Sequence, residues 1–132
     1  MRRYLTALIL ALMVTAFLAL IYLTSPRRDA EVALGLKSLP WSARNLRINT
    51  DAWTDYVVRG CIEITPEDFE RIVSARAYER MDHSEHALSE EPLPPGRLLI
   101  STRSFYWSKG DSHCKIECDA TRSWIWFLYS TD

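Results

Sequence analysis

Glycine is scarce in this chain, four residues in 132. The backbone therefore has few places to cradle a phosphate or approach a ligand closely. No G-x-S-x-G, no H-E-x-x-H, no glycine-rich phosphate loop and no C-x-x-C is present, so the usual contexts for acyl transfer, zinc proteolysis, nucleotide binding and thiol exchange are missing. An enzyme is not expected. Charge of one sign is also lacking: the formal net charge is −1, so no basic field invites nucleic acid. Arg71, Arg76 and Arg80 alternate with Glu70, Glu79 and Asp82, a solvated pattern rather than a phosphate surface. No internal repeat or low-complexity tract appears.

Three cysteines, Cys61, Cys114 and Cys118, permit at most one disulfide. On one extended strand Cys114 and Cys118 lie roughly 13 Å apart, too far to bond. Cys61 with one of that pair is the bridge compatible with such a strand.

What the chain does have is an unbroken apolar run from Leu5 to Leu23, LTALILALMVTAFLALIYL, without charge or proline. At about 1.5 Å per residue it spans roughly 28 Å, close to a bilayer's hydrocarbon core. Thr6, Thr15 and Tyr22 supply its only polar side-chain atoms, and a helix satisfies its own backbone in lipid. Tyr4 and Tyr22 fall near the two interfaces. A cleaved signal peptide is the rival reading. The run is longer than the usual h-region, no A-x-A site follows, and Pro26 comes directly after, so an uncleaved anchor over residues 1–23 is favoured. Arg2 and Arg3 face Arg27, Arg28 and Lys37 across the run, nearly a tie by the positive-inside count. The expected orientation is amino terminus inside and domain outside.

Residues 24–38, with Pro26, Arg27, Arg28, Asp29 and Gly35, read as a juxtamembrane linker whose 30–36 segment is able to form a helical turn. Residues 39–132 leave room for one small domain. Leu46 and Ile48 predict a short strand. Tyr56, Val58, Ile62 and Ile64 share one parity of a second, with Gly60 marking a bulge or a close approach. Thr65-Pro66-Glu67-Asp68 is a helix start: a capping hydroxyl, proline at the first position and two acids in the positive first turn. That helix is expected to bury Phe69, Ile72, Val73 and Ala77 and to end near Tyr78 to Met81. Residues 82–96, with Pro92, Pro94, Pro95 and Gly96, read as a surface loop, and Leu98-Leu99-Ile100 is apolar without a clear type. The close is a hairpin, His113 to Cys118 and Trp124 to Tyr129, whose last strand is apolar on both faces and therefore central or covered. The expected fold class is α+β: a transmembrane helix, then a small antiparallel sheet with one main helix packed on it.

Leu39-Pro40-Trp41-Ser42-Ala43-Arg44-Asn45-Leu46, the strand leading into Thr65-Pro66-Glu67-Asp68-Phe69-Glu70, and the aromatic terminal hairpin together resemble small bacterial membrane-anchored or exported domains of uncharacterised function. The resemblance implies an extracytoplasmic domain and carries over no catalytic residue.

Three constellations remain. His83, His86, His113, Cys114 and Cys118 are zinc-ligand types, and a metal-binding or redox sensor built on His83, His86, Cys114 and Cys118 is the alternative function. The bland reading is favoured, since the spacing is not a knuckle's and Cys114, Ile116 and Cys118 alternate onto a core face. His113 and Cys114, as strand neighbours, point to opposite faces and make no dyad. Phe105, Tyr106 and Trp107 are divided between core and a contact patch, and Trp41 and Trp53 are candidates for a position near the membrane. No cofactor is expected. The reading is a single-pass anchor, with Leu5 and Leu23 bounding its apolar run, on the bacterial inner membrane. It presents a domain that binds a protein partner, in a specific form as an immunity or inhibitor protein.

Overall fold

In a computed structural model of the chain, residues 2–53, 55–82, 84–94, 96 and 98–131 are described. Helix α1 (Arg2–Leu23) contains the whole apolar run and is long enough, at about 33 Å, to cross a bilayer. Its side chains from Tyr4 to Leu23 all stand exposed, apolar on every side of the helix, so no protein face covers them. The hydroxyl of Thr15 is returned to its own helix, donating to the Ala11 carbonyl at 2.6 Å.

Helix α2 (Pro26–Leu34) follows α1 after a break of two residues. Ser25 caps it, its Oγ accepting from the Arg28 N–H, and Pro26 occupies the first turn. Gly35 closes it with φ +73°. Leu36 N donates to Glu31 O (2.8 Å) and Gly35 N to Val32 O (3.2 Å), the paired bonds of a glycine-terminated helix. Ala30, Ala33 and Leu34 are fully buried in the main core. Within residues 24–38 the helical turn is longer than expected, a capped helix that covers the sheet.

Helix α3 (Pro66–Ala75) begins as its sequence predicts, with Thr65 Oγ1 accepting from Asp68 N at 3.4 Å. It ends earlier than expected. Arg76 is extended and turns its guanidinium back onto α2, donating to Ala33 O at 2.8 Å and Val32 O at 2.9 Å. Glu79–Met81 is drawn out as a strand instead, and Ala77 is exposed rather than buried.

Eight strands are seen among the described residues: β1 (Arg44–Asp51), β2 (Tyr56–Glu63), β3 (Glu79–Met81), β4 (His86–Ala87), β5 (Ile100–Ser101), β6 (Arg103–Lys109), β7 (Ser112–Cys118) and β8 (Trp124–Thr131). Six form an antiparallel sheet in the order β1-β2-β8-β7-β6-β3, while β4 and β5 pair separately. The fold is α+β, as expected. Strand β8 is interior, and both its faces are covered. Ile125, Phe127 and Tyr129 lie in the main core with Val58, Ile62, Phe69 and Ile116, under α2 and α3. Trp124 and Trp126 lie in a second core with Cys61, Leu88 and Leu99.

That second core corrects the reading of 82–96 as a plain surface loop. The segment folds back through β4 and β5, with Leu88 N donating to Leu99 O at 2.8 Å, and lays Leu88, Leu93 and Leu99 over the two tryptophans. Two indoles on an otherwise bare sheet face are the apolar surface that makes this cover favourable.

Gly60 marks a close approach: a Cβ there would meet Phe127 Cζ at 2.4 Å and Ile48 Cδ1 at 2.7 Å. Gly60→Ala is therefore expected to destabilise the domain by about 1–2 kcal/mol through overpacking. Denaturant unfolding of the full chain in detergent checks this.

Candidate functional site

Strand register sorts the candidate residues between the two sheet faces. Cys114 and Cys118 point into the main core, whereas Cys61 sits in the second core across the sheet. All three are free thiols. The one bridge compatible with the strand, Cys61 to one of the pair, is not formed, because the sheet separates the sulfurs. Burial pushes each thiol up to about 11. Opposing this, Arg47 favours the Cys61 thiolate, and for Cys114 the Tyr78 hydroxyl bond and Arg76 do the same.

Each cysteine thus stays a neutral apolar filler. Below about pH 9, where an ordinary thiol is protonated, both folded and unfolded chains keep their protons and the thiols' contribution is complete. Between about 9 and about 11 only the unfolded chain ionises, so stability falls as pH rises through that window. The accompanying expectation is that a maleimide labels none of the three in the folded protein at neutral pH and all three once it is unfolded.

The histidine and cysteine set does not converge. His86 lies on the second face, against β7, and Cys114 and Cys118 lie on the first. His83 is outside the described residues. Among the described residues no group of three or more His, Cys, Asp or Glu is placed to hold a metal ion. His113 and Cys114 are split as alternation requires, with His113 Nε2 hydrogen-bonded to Ser130 Oγ. The aromatic triplet divides in the same way. Phe105 packs edge-on against Phe69, with centroids 5.6 Å apart. Trp107 lies 4.0 Å beneath the Arg76 guanidinium. Tyr106 alone of the three faces the second side, tilted against His113.

On that second side the chain assembles its most unusual polar group. Ser104, Glu117 and Trp126 are register neighbours across β6, β7 and β8. Glu117 is 1% exposed. Its carboxylate pairs with Lys115 Nζ, two residues back on the same face, and with His86 Nε2 at 3.5 Å, delivered by β4. Ser104 Oγ and Trp126 Nε1 are buried without a hydrogen-bond partner among the described residues. A pocket of about 90 Å³ opens between His86, Leu88, Lys115, Glu117 and Trp126.

Beside it, the same 82–101 segment builds an apolar groove of about 460 Å³. Leu98, Ile100, Thr102, Ala120 and Trp124 line it. Leu98 is 72% exposed and Ile100 47%, on either side of the buried Leu99. The groove lies at one end of the sheet, where β8 begins. The other end, where Tyr56 pairs with Thr131, is the one joined to α1: Thr50 Oγ1 and Tyr56 Oη both donate to Asp29, in the first turn of α2.

Sequence reading missed this groove and the Glu117 centre. For Glu117 a signal existed, a single acid between Ile116 and Cys118 in a strand destined for the interior. For Leu98 and Ile100 nothing local announced exposure, because which face of a short apolar run is covered depends on a distant partner. No family model matches the chain, and no curated protein or solved structure is detectably similar to it.

Proposed function

We propose that this chain is a single-pass membrane protein whose domain binds a protein partner through the groove flanked by Leu98 and Ile100. The observation that carries the reading is that groove: large aliphatic side chains held out of the core, at the sheet end opposite the anchor. Exposed apolar surface beside a polar rim, here Glu85 and Asp119, is the composition of a contact patch. A groove facing away from the bilayer is open to a partner approaching from bulk. Helix α1 supports the first half of the proposal by its length and its uniform apolar exposure. Placement of the domain outside a bacterial inner membrane belongs to the same proposal, and a reporter fused after Asp132 tests it. Activity of a cytoplasm-only reporter would reverse the orientation.

An immunity or inhibitor protein is the specific form proposed. Such a protein works by covering another surface, which needs complementarity and no reactive group. The test is a photo-crosslinking residue placed at Ile100 and, as a control, at exposed Glu67 on α3. One discrete crosslinked partner from Ile100 and none from Glu67 is expected in native membranes. The same products from both positions, or none from either, would remove the groove's role.

A further inference from the structure

The junction between α1 and the domain is tied at several points. Glu31, 1% exposed, accepts from Tyr22 Oη in the last turn of α1 (2.9 Å) and from Leu39 N (3.0 Å). Arg27 donates to Leu39 O at 3.0 Å. Asp29 accepts from Thr50 Oγ1 at 2.9 Å and from Tyr56 Oη at 3.1 Å. Burial and the Asp29 carboxylate push the Tyr56 hydroxyl up to about 12, so it remains a donor at any ordinary pH. These bonds fix one end of the sheet beside the end of α1. Asp29 is six residues beyond Leu23, with the helix interrupted at Ser25 between them, so this end of the sheet stays close to where α1 leaves the hydrocarbon.

Two residues past the end of β1, at this same end, stands Trp53, 95% exposed. Its backbone N–H is occupied by Asp51 Oδ1 at 3.2 Å, which holds the local backbone while the indole projects free. Exposing so large an apolar side chain to water is unfavourable, for Trp53 as for the fully exposed Trp41 three residues before β1; Trp53 is set apart by standing at the anchor's end of the sheet. An interface, by contrast, suits an indole, with an apolar body and one N–H.

We infer that Trp53 rests in the headgroup layer of the bilayer that α1 spans and serves as the domain's second contact with lipid. The inference depends on α1 being a membrane span. Two contacts, α1 and Trp53, set the tilt of the domain and turn the Leu98–Ile100 groove outward.

The experiment uses the full chain in phosphatidylcholine vesicles containing a lipid with a nitroxide near its headgroup. Flotation is read first, then the fluorescence that is lost in Trp53→Phe. The expected result is a chain that floats with the vesicles. Its Trp53 component should be blue-shifted, quenched several-fold by the nitroxide lipid, and shielded from aqueous iodide relative to free tryptophanamide. A floating chain whose Trp53 component emits as in water, and which iodide quenches as freely as tryptophanamide, overturns the inference and leaves the anchor intact. A chain that does not float overturns the anchor, and the inference with it.

Discussion

Phe127→Ala is expected to cost the domain about 3–5 kcal/mol, the range for emptying a fully enclosed aromatic site. Phe127 is completely buried on an interior strand, with Gly60 its register neighbour on β2 and Ile116 on β7. Its ring occupies the space that Gly60 leaves, since a Cβ at Gly60 would meet the ring at 2.4 Å. The surroundings are two strands and the helices above them, which cannot close on the void without moving the sheet. Small domains hold only about 5–15 kcal/mol of stability in total, so the variant should be substantially unfolded on mild heating. Urea unfolding of the full chain in detergent reads the loss as a shift of midpoint at constant slope. A second arm separates cavity from clash: Gly60→Ala, destabilising alone, should become neutral or favourable when combined with Phe127→Ala. Simple additivity of the two would mean that the ring and the glycine are not packed as described.

The second large effect is an asymmetry at Glu117. Lys115→Met is expected to destabilise by about 2–3 kcal/mol, because it leaves a carboxylate inside the protein with only His86 beside it. That is below the full cost for an enclosed pair, since the Lys115 side chain is 40% exposed and His86 remains. Glu117→Gln removes the buried charge while Lys115 and His86, both partly exposed, return to water. It should cost under about 1 kcal/mol, or even stabilise. The double variant should resemble Glu117→Gln alone. Comparable losses from both single variants would show that the carboxylate is held by the pairing rather than tolerated because of it.

The parts of this fold that were legible in advance are those whose physics is local. The cap at Thr65, proline at the first helical position and the acids after it act within four residues, so the start of α3 was readable. Alternation placed Cys114, Ile116 and Cys118 on one face. Apolarity on both parities placed β8 in the interior. What was not legible depends on distant partners. Helix α2 reads as a polar linker because the residues it buries are two alanines, one leucine and a glutamate. Only a sheet offering a shallow seat converts those into core. Leu88, Leu93 and Leu99 share no period, since what joins them is the pair of indoles they cover. The end of α3 was set by Arg76 reaching back to α2 and by β6 recruiting Glu79–Met81, neither of which a helical pattern records. The groove was hidden for the same reason: exposure of Leu98 and Ile100 follows from where β5 is placed.

The function proposed for this chain is the binding of a protein through that groove by a membrane-held domain. Its most direct test is co-isolation from native membranes of the full chain and of the variant Leu98→Asp/Ile100→Asp. Both positions are exposed, so the variant should melt within about 0.5 kcal/mol of the parent. One partner is expected to be recovered in near-stoichiometric amount with the parent chain and to be lost from the folded variant. Equal recovery with both chains, or no partner with either, would contradict it.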